Sequence, residues 1–247
     1  MAGDIFYNKV SLLLPMTGSD GSTTFTDQSP SPKTATVLGN AKISTTLEAG
    51  GNGDFDGVGD YLTIPNTVDF RFNTGDYTVE ALVYNTNRPG GDVDNDMTIF
   101  GTLSGTGILF FSLNYATAVP QVWNGTTGIN STIAVPLNTW THVAYSRSSG
   151  TVKIFVDGVQ GASGTHNLDN SNATETIKIG GNGGGYNNRF FYGYMSSLRI
   201  TKGVARYTTD FTPPDVPLPT YFEHRANHLN AVNRPIIQTF NPTIFNG

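Results

Sequence analysis

The chain has no cysteine. Disulfides, thiolate zinc sites and cysteine nucleophiles are therefore excluded. Charge is scarce as well. Asp, Glu, Lys and Arg make up 13% of the 247 residues, well under the ~25% of an ordinary globular protein. Lys and Arg number 14 against 19 Asp and Glu, a net charge of −5, so the basic footprint of a nucleic-acid binder is missing. No apolar run approaches ~18 residues, and no segment reads as a membrane-spanning helix. The opening Met1-Ala2-Gly3-Asp4 lacks the basic and then apolar pattern of a secretory signal. Neither nucleic acid nor membrane is expected as a partner.

What is present favours strands and turns. The sequence has 29 Gly, 33 Thr and 23 Asn. Thr suits strands, and Gly and Asn suit turns. Short apolar stretches recur between turn signals: Val10 to Leu14, Tyr61 to Ile64, Tyr77 to Tyr84, Met97 to Leu103, Ile108 to Leu113, Trp140 to Arg147, Val152 to Val156, Thr176 to Ile179 and Tyr192 to Ile200. Ser104-Gly105-Thr106-Gly107 and Ser148-Ser149-Gly150-Thr151 read as hairpin turns, and Asp157-Gly158 as a type I′ turn. Val79, Ala81 and Val83 alternate with Thr78, Glu80 and Leu82, as do Val152, Ile154 and Val156 with Lys153, Phe155 and Asp157. Trp140, His142 and Ala144 share a face, and a large aromatic at a strand start is expected to anchor the core. No apolar period of 3.6 residues persists for three turns, so almost no helix is expected. The pattern predicts an all-β sandwich or jelly roll.

Prolines cluster at Pro213, Pro214, Pro217 and Pro219, where helix and central strand are both blocked. The domain is expected to occupy residues 1–219. Residues 220–247 form a C-terminal arm too short to fold alone. The arm carries Tyr221, Phe222, Leu229, Ile236, Ile237, Phe240, Ile244 and Phe245, a composition unlike a disordered tail. These side chains are expected to pack on the domain itself or on another chain.

Several motifs carry a resemblance. Phe55-Asp56-Gly57-Val58-Gly59-Asp60-Tyr61-Leu62, Asp76-Tyr77-Thr78-Val79-Glu80-Ala81, Trp140-Thr141-His142-Val143-Ala144 and Phe155-Val156-Asp157-Gly158 occur in that order. They are followed by Ser197-Leu198-Arg199-Ile200-Thr201 through Arg206-Tyr207 to Phe211-Thr212-Pro213-Pro214. Together they resemble laminin G-like, concanavalin A-like jelly-roll domains over roughly residues 5 to 217. Leu82 stands where that family often has Trp. The resemblance implies a concanavalin A-like (laminin G-like) sandwich of two antiparallel sheets, with Asp56 and Asp60 as turn-forming residues. The terminal motif resembles copies found in virion proteins of tailed phages, including those of cyanobacteria. That implies a virion structural protein, a capsid decoration or tail-associated protein anchored by its C-terminal arm. Its partners would be other virion proteins and copies of itself, and its place the virion.

The alternative is a lectin-like protein that recognises host-surface glycan. Asn187 and Asn188 can donate to and accept from sugar hydroxyls, while Tyr186 and Phe190 or Phe191 could stack on a pyranose. These residues lie in or beside the loop Gly180 to Asn188, which lacks the Lys-Ser/Thr of a P-loop. Asp92, Asp94 and Asp96 are candidate ligands for calcium. An EF-hand is rejected because its twelfth position would be Leu103 rather than Glu. No other cofactor is expected. His224 and His228 are spaced i, i+4 but have no third acidic ligand beyond Glu223, so they read as polar contacts. Enzymatic activity is not expected. A glycosidase needs two carboxyls ~5–9.5 Å apart. None of the four Glu (Glu48, Glu80, Glu175 and Glu223) has an acidic partner at i±2 or i±4. No Ser sits in a G-x-S-x-G elbow. Glu80 is expected to pair with Arg199, and His142 to be a strand residue with a satisfied ring.

Overall fold

In a computed structural model, residues 3–48, 50–86, 96–102, 109–124, 127–165, 176–181, 189–214 and 218 are described. Among them are fifteen strands. The first seven are β1 (Val10–Leu14), β2 (Thr36–Leu38), β3 (Lys42–Ser44), β4 (Asn52–Asp56), β5 (Tyr61–Ile64), β6 (Tyr77–Asn85) and β7 (Met97–Thr102). The next four are β8 (Leu109–Leu113), β9 (Pro120–Trp123), β10 (Gly128–Asn130) and β11 (Trp140–Ser148). The last four are β12 (Thr151–Val156), β13 (Val159–Thr165), β14 (Ile177–Ile179) and β15 (Tyr192–Lys202). The only helical turns among the described residues are two short 3-10 turns, Tyr7–Lys9 and Val68–Phe70.

The strands form two antiparallel sheets. One has eight strands in the order β13-β12-β11-β6-β15-β4-β3, with β1 also paired to β15. The other has seven, in the order β10-β9-β8-β7-β14-β5-β2. Neighbours distant in sequence, such as β6 and β15, lie side by side, as in a jelly roll. The core fills the space between the sheets. Val79, Ala81, Val83, Val143, Tyr145, Val152 and Ile154 come from the first sheet, and Phe100, Leu109, Phe111, Val122, Ile177 and Ile179 from the second. The alternation expected for β6 and β12 is what places these side chains inward.

The β11–β12 hairpin turns through Ser149 and Gly150, and the β12–β13 hairpin through Asp157 and Gly158. All four residues have positive φ, which is the type I′ geometry. The β7–β8 hairpin also forms, with its turn outside the described residues.

Trp140 corrects an expectation. It shares a face with His142 and Ala144, but that face points away from the inter-sheet core. Its registered partner Tyr84 lies on the outer face of β6, and Trp140 is only half-buried. Inward positions on β11 belong to Val143 and Tyr145.

The outer face of the eight-stranded sheet has two halves. Over one half runs the segment 203–214. Tyr207 stacks on Phe211 at 3.6 Å between ring centroids, and both rings meet His142 and Phe155 edge-on. The Phe211 amide donates to the Gly158 carbonyl at 2.9 Å. Leu218 is buried against Val10 and Leu13 of β1, so the described chain is still packed on the sandwich there. The arm residues Tyr221, Phe222, Leu229, Ile236, Ile237, Phe240, Ile244 and Phe245 lie outside the described residues.

Candidate functional site

Beneath the covering segment lies a buried charge network. Glu80 is fully buried on β6. Its carboxylate accepts from Arg199 Nε at 2.8 Å, from the Tyr207 hydroxyl at 2.6 Å and from His142 Nε2 at 3.0 Å. The expected Glu80–Arg199 pair is therefore present. Arg199 and Arg206 also hold Asp4, at 3.0 and 2.7 Å. Burial alone would raise both carboxyls, but the guanidinium groups outweigh it and hold Glu80 and Asp4 below the usual carboxylate range. His142 is less satisfied than expected. Its Nδ1 is buried and has no hydrogen-bond partner among the described residues. This network ties Asp4 and the segment carrying Arg206 and Tyr207 to the sheet, and its carboxylates are shielded from solvent.

The opposite sheet carries a surface suited to a ligand. Outward positions on neighbouring strands align in rows. Thr98, Ser112, Gln121 and Asn130 form one row across β7, β8, β9 and β10. Gly101, Phe110, Trp123 and Gly128 form the next. The two glycines matter here. A Cβ on Gly101 would come within 2.9 Å of the Phe110 ring, and one on Gly128 within 3.3 Å of Trp123. Their absence lets the aromatic rings lie down along the sheet. Phe110 is buried, whereas Trp123 remains 39% exposed.

Arg189 closes one side. Its guanidinium stands 5.9 Å from the Phe110 ring centre and 3.6 Å from Asp96. The Arg189 carbonyl accepts from the Thr98 amide at 3.3 Å, which fastens this strand entry to β7. The result is a groove of about 440 Å³ lined by Asp96, Gln121, Val122, Trp123, Gly128, Asn130 and Arg189. It combines one flat apolar plate with two primary amides, a carboxylate and a guanidinium. Gln121 donates to the Ser112 hydroxyl at 3.3 Å, which orients its amide. The Thr98 hydroxyl is buried and has no hydrogen-bond partner among the described residues. Such a surface offers donors and acceptors beside an exposed aromatic face, which matches the hydroxyls and C–H face of a sugar ring.

Asp96 and Arg189, whose side chains meet at 3.6 Å, adjoin in sequence two loops that were separate candidates. Asp96 ends the acidic run, and Arg189 follows the Gly/Asn loop. Asp92, Asp94, Tyr186, Asn187 and Asn188 lie outside the described residues. Phe190 is described and stacks on Tyr61 at 6.1 Å, with Lys178 Nζ 5.9 Å from the Tyr61 ring. Phe191, the other candidate for stacking, is in the core against Phe55. Trp123, Gln121 and Asn130 were missed in the sequence. The available signal was a Trp two residues after Gln in Pro120-Gln121-Val122-Trp123, because i and i+2 share a strand face.

The second acidic run serves turns. Asp60 accepts from the amides of Asn40 and Asp56, at 2.6 and 3.0 Å, and Asp56 accepts from the Val58 amide at 2.7 Å. Among the described residues, no group of three or more His, Asp or Glu is placed to hold a metal ion.

The sheet order and registers define an all-β, two-sheet jelly roll of the concanavalin A-like kind. The chain belongs to the Laminin_G_3 family, described as the concanavalin A-like lectin/glucanases superfamily, whose model matches residues 55–206. Comparison with curated protein sequences gives no match. Among solved structures, the binding domain of Paraclostridial Mosquitocidal Protein 1 is similar, with a TM-score of 0.63 and 11% identity. That likeness covers 81% of this chain and 50% of the other, so the chain spans about half the length of that relative. Domain 4 of AbnA, a GH43 extracellular arabinanase from Geobacillus stearothermophilus in complex with arabinotriose, has a TM-score of 0.59 and 19% identity, covering 79% of this chain and 93% of that one. The binding domain of botulinum neurotoxin serotype G has a TM-score of 0.58 and 13% identity, covering 78% and 48%. At these identities the likeness establishes the fold.

Proposed function

We propose that this chain is a carbohydrate-binding domain that holds a sugar unit in the Trp123 groove without cleaving it. The observation that carries this reading is the exposed Trp123 plate, flanked by Gln121, Asn130, Asp96 and Arg189. Trp123 supplies the stacking face. The amides and the Asp96–Arg189 pair supply hydrogen bonds to hydroxyls. Family membership and a structural relative solved with arabinotriose agree with it. Binding without hydrolysis is supported by Glu80, which is sealed beneath the covering segment and paired with Arg199. The test is affinity electrophoresis through gels containing arabinan, xylan, β-glucan or host cell-wall polysaccharide. Retardation by one of them that is lost in Trp123→Ala supports the reading. Identical migration of both proteins in every gel contradicts it.

A second reading concerns placement. We propose that the domain is displayed on a tailed-phage virion and is anchored by residues 220–247. The terminal motif through Pro214 and the apolar composition of 220–247 support it. Leu218, docked on β1, is the last described residue before the arm. Particles lacking the protein should take up the full chain but not a 1–219 truncation. Equal uptake of both would remove the arm from this role.

A further inference from the structure

The half of the eight-stranded sheet left open by segment 203–214 has its own row of outward side chains. Trp140, Tyr84, Tyr194, Asp54 and Lys42 follow one another across β11, β6, β15, β4 and β3. The rings brace each other edge-on, Trp140 to Tyr84 at 5.5 Å and Tyr84 to Tyr194 at 6.0 Å. Beside Trp140 is a hollow of about 210 Å³ lined by Pro15, Thr17, Glu48, Gly50, Gly51, Leu82, Trp140, Ser196 and Ser197. It is smaller than the ~300–1,000 Å³ of pockets that enclose drug-sized ligands.

The chemistry of this hollow differs from that of the Trp123 groove. That groove has a guanidinium and two amides, groups that donate hydrogen bonds. The hollow has no Lys, Arg, His, Asn or Gln among the described residues that line it. Its polar side chains are one carboxylate, Glu48, and the hydroxyls of Thr17, Ser196 and Ser197. The Ser196 hydroxyl already spends its proton on the Pro15 carbonyl at 3.1 Å, so it faces a ligand as an acceptor. The Gly51 amide is likewise committed to the Glu48 carbonyl at 2.8 Å. The lining therefore carries one carboxylate, an indole and no cationic side chain, with the hydroxyls of Thr17 and Ser197 able both to donate and to accept. Its net negative charge beside an aromatic wall suits a group that carries positive charge. An indole wall attracts such a cation through its π face, and Trp is the strongest of the aromatic side chains in this role.

From this lining we infer a second binding site, formed by Trp140, Glu48, Leu82, Pro15 and Ser196, for a small alkylammonium group on a slim apolar stem. The stem packs on Leu82 and Pro15. The ammonium lies against Trp140, with Glu48 as counter-charge at the rim and Asp54 adding negative charge further along the row. Lys42, opposite Asp54, is the first cation along that row.

The chain has two Trp, on opposite outer faces, so Trp123→Phe leaves Trp140 as the sole indole reporter. In that variant, choline and N-acetyl-lysinamide are titrated against Trp140 emission. Neutral 3,3-dimethyl-1-butanol and N-acetyl-norleucinamide serve as matched controls. We expect saturable quenching by at least one ammonium compound and binding about 3- to 30-fold weaker for its neutral match, the range of a cation–π contribution. The tighter of the two identifies a quaternary headgroup or a primary alkylammonium as the source. Glu48→Gln should weaken ammonium binding by a similar factor. Leu82→Phe, which adds no second indole, should fill the hollow and abolish binding while the unfolding midpoint stays within a few degrees. Equal binding of charged and neutral probes, an unchanged affinity in Glu48→Gln, or no saturation up to 100 mM of every ammonium probe would each overturn the inference. Because Trp123 is absent from the reporter variant, none of these outcomes depends on the glycan reading.

Discussion

Replacing Glu80 by Gln tests how much the buried network holds the sandwich closed. Glu80 is fully buried, and its carboxylate is the shared acceptor for Arg199, His142 and Tyr207. Gln keeps the shape but removes the charge that balances Arg199, itself only 3% exposed. Breaking one side of a buried ion pair costs about 3–5 kcal/mol, because the other charge stays buried without its partner. Asp4 still reaches Arg199 at 3.0 Å, so the cost should fall near the lower end, about 3 kcal/mol. For a domain of this size each kcal/mol moves the midpoint by ~2–4 °C. The expected loss is therefore about 6–12 °C, read by circular dichroism or scanning calorimetry at pH 7. Tyr207 should also lose its tether, so proteolysis within 203–214 should accelerate. A midpoint within 2 °C of the parent protein would refute the claim that this network fastens the covering segment.

Further outcomes follow from the same structure. Glu80 and Asp4 are held below the ordinary carboxylate range. Their contribution is complete above the unfolded value of about 4 and is lost as pH falls below it. Asp54 and Asp60, raised chiefly by burial, oppose this in part, since protonating them favours the folded state. The net midpoint should drop between pH 5 and 3, and the drop should be smaller in Glu80→Gln. An identical pH profile in both proteins would contradict the assignment. Gly158→Ala should destabilise strongly, because φ is +78° and the added Cβ would lie 1.9 Å from the Phe211 carbonyl oxygen. Thermal unfolding should show a loss above ~1 kcal/mol. Leu218→Ala should cost about 2 kcal/mol, the low end for a buried Leu, if its packing on Val10 and Leu13 contributes. No change in urea midpoint would show that it does not.

Much of the fold was legible because two signals agreed. Apolar alternation in Val79, Ala81 and Val83, and in Val152, Ile154 and Val156, matched inward positions. The turn pairs Ser149-Gly150 and Asp157-Gly158 fell where φ is positive. The short strands β2, β3, β9, β10 and β13 were not legible. Three of them have only three residues, β9 opens with Pro120, and β13 contains Gly161 and Gly164. None carries a distinctive period. Trp140 misled because period 2 says which residues share a face but not which face is inside. Glu80 was read correctly as a lone carboxylate with Arg199. That pairing spans 119 residues, a separation that no local spacing encodes. The Trp123 groove was hidden for a related reason. Its residues come from the entry to β7, from β9 and β10, and from the segment before β15, and only the tertiary fold brings Asp96, Gln121, Trp123, Asn130 and Arg189 together.

The most direct test of the central claim is a pair of single-Trp variants screened on a glycan array and then titrated with the best hit. Trp140→Phe, which keeps Trp123, should bind the hit as the parent does, with its emission changing on saturation. Trp123→Ala should lose about 5- to 150-fold in affinity at an unchanged unfolding midpoint, if the stacking face contributes about 1–3 kcal/mol, the range for bases stacked on aromatic rings. Undiminished binding by a folded Trp123→Ala would contradict the account and move the sugar site off this groove.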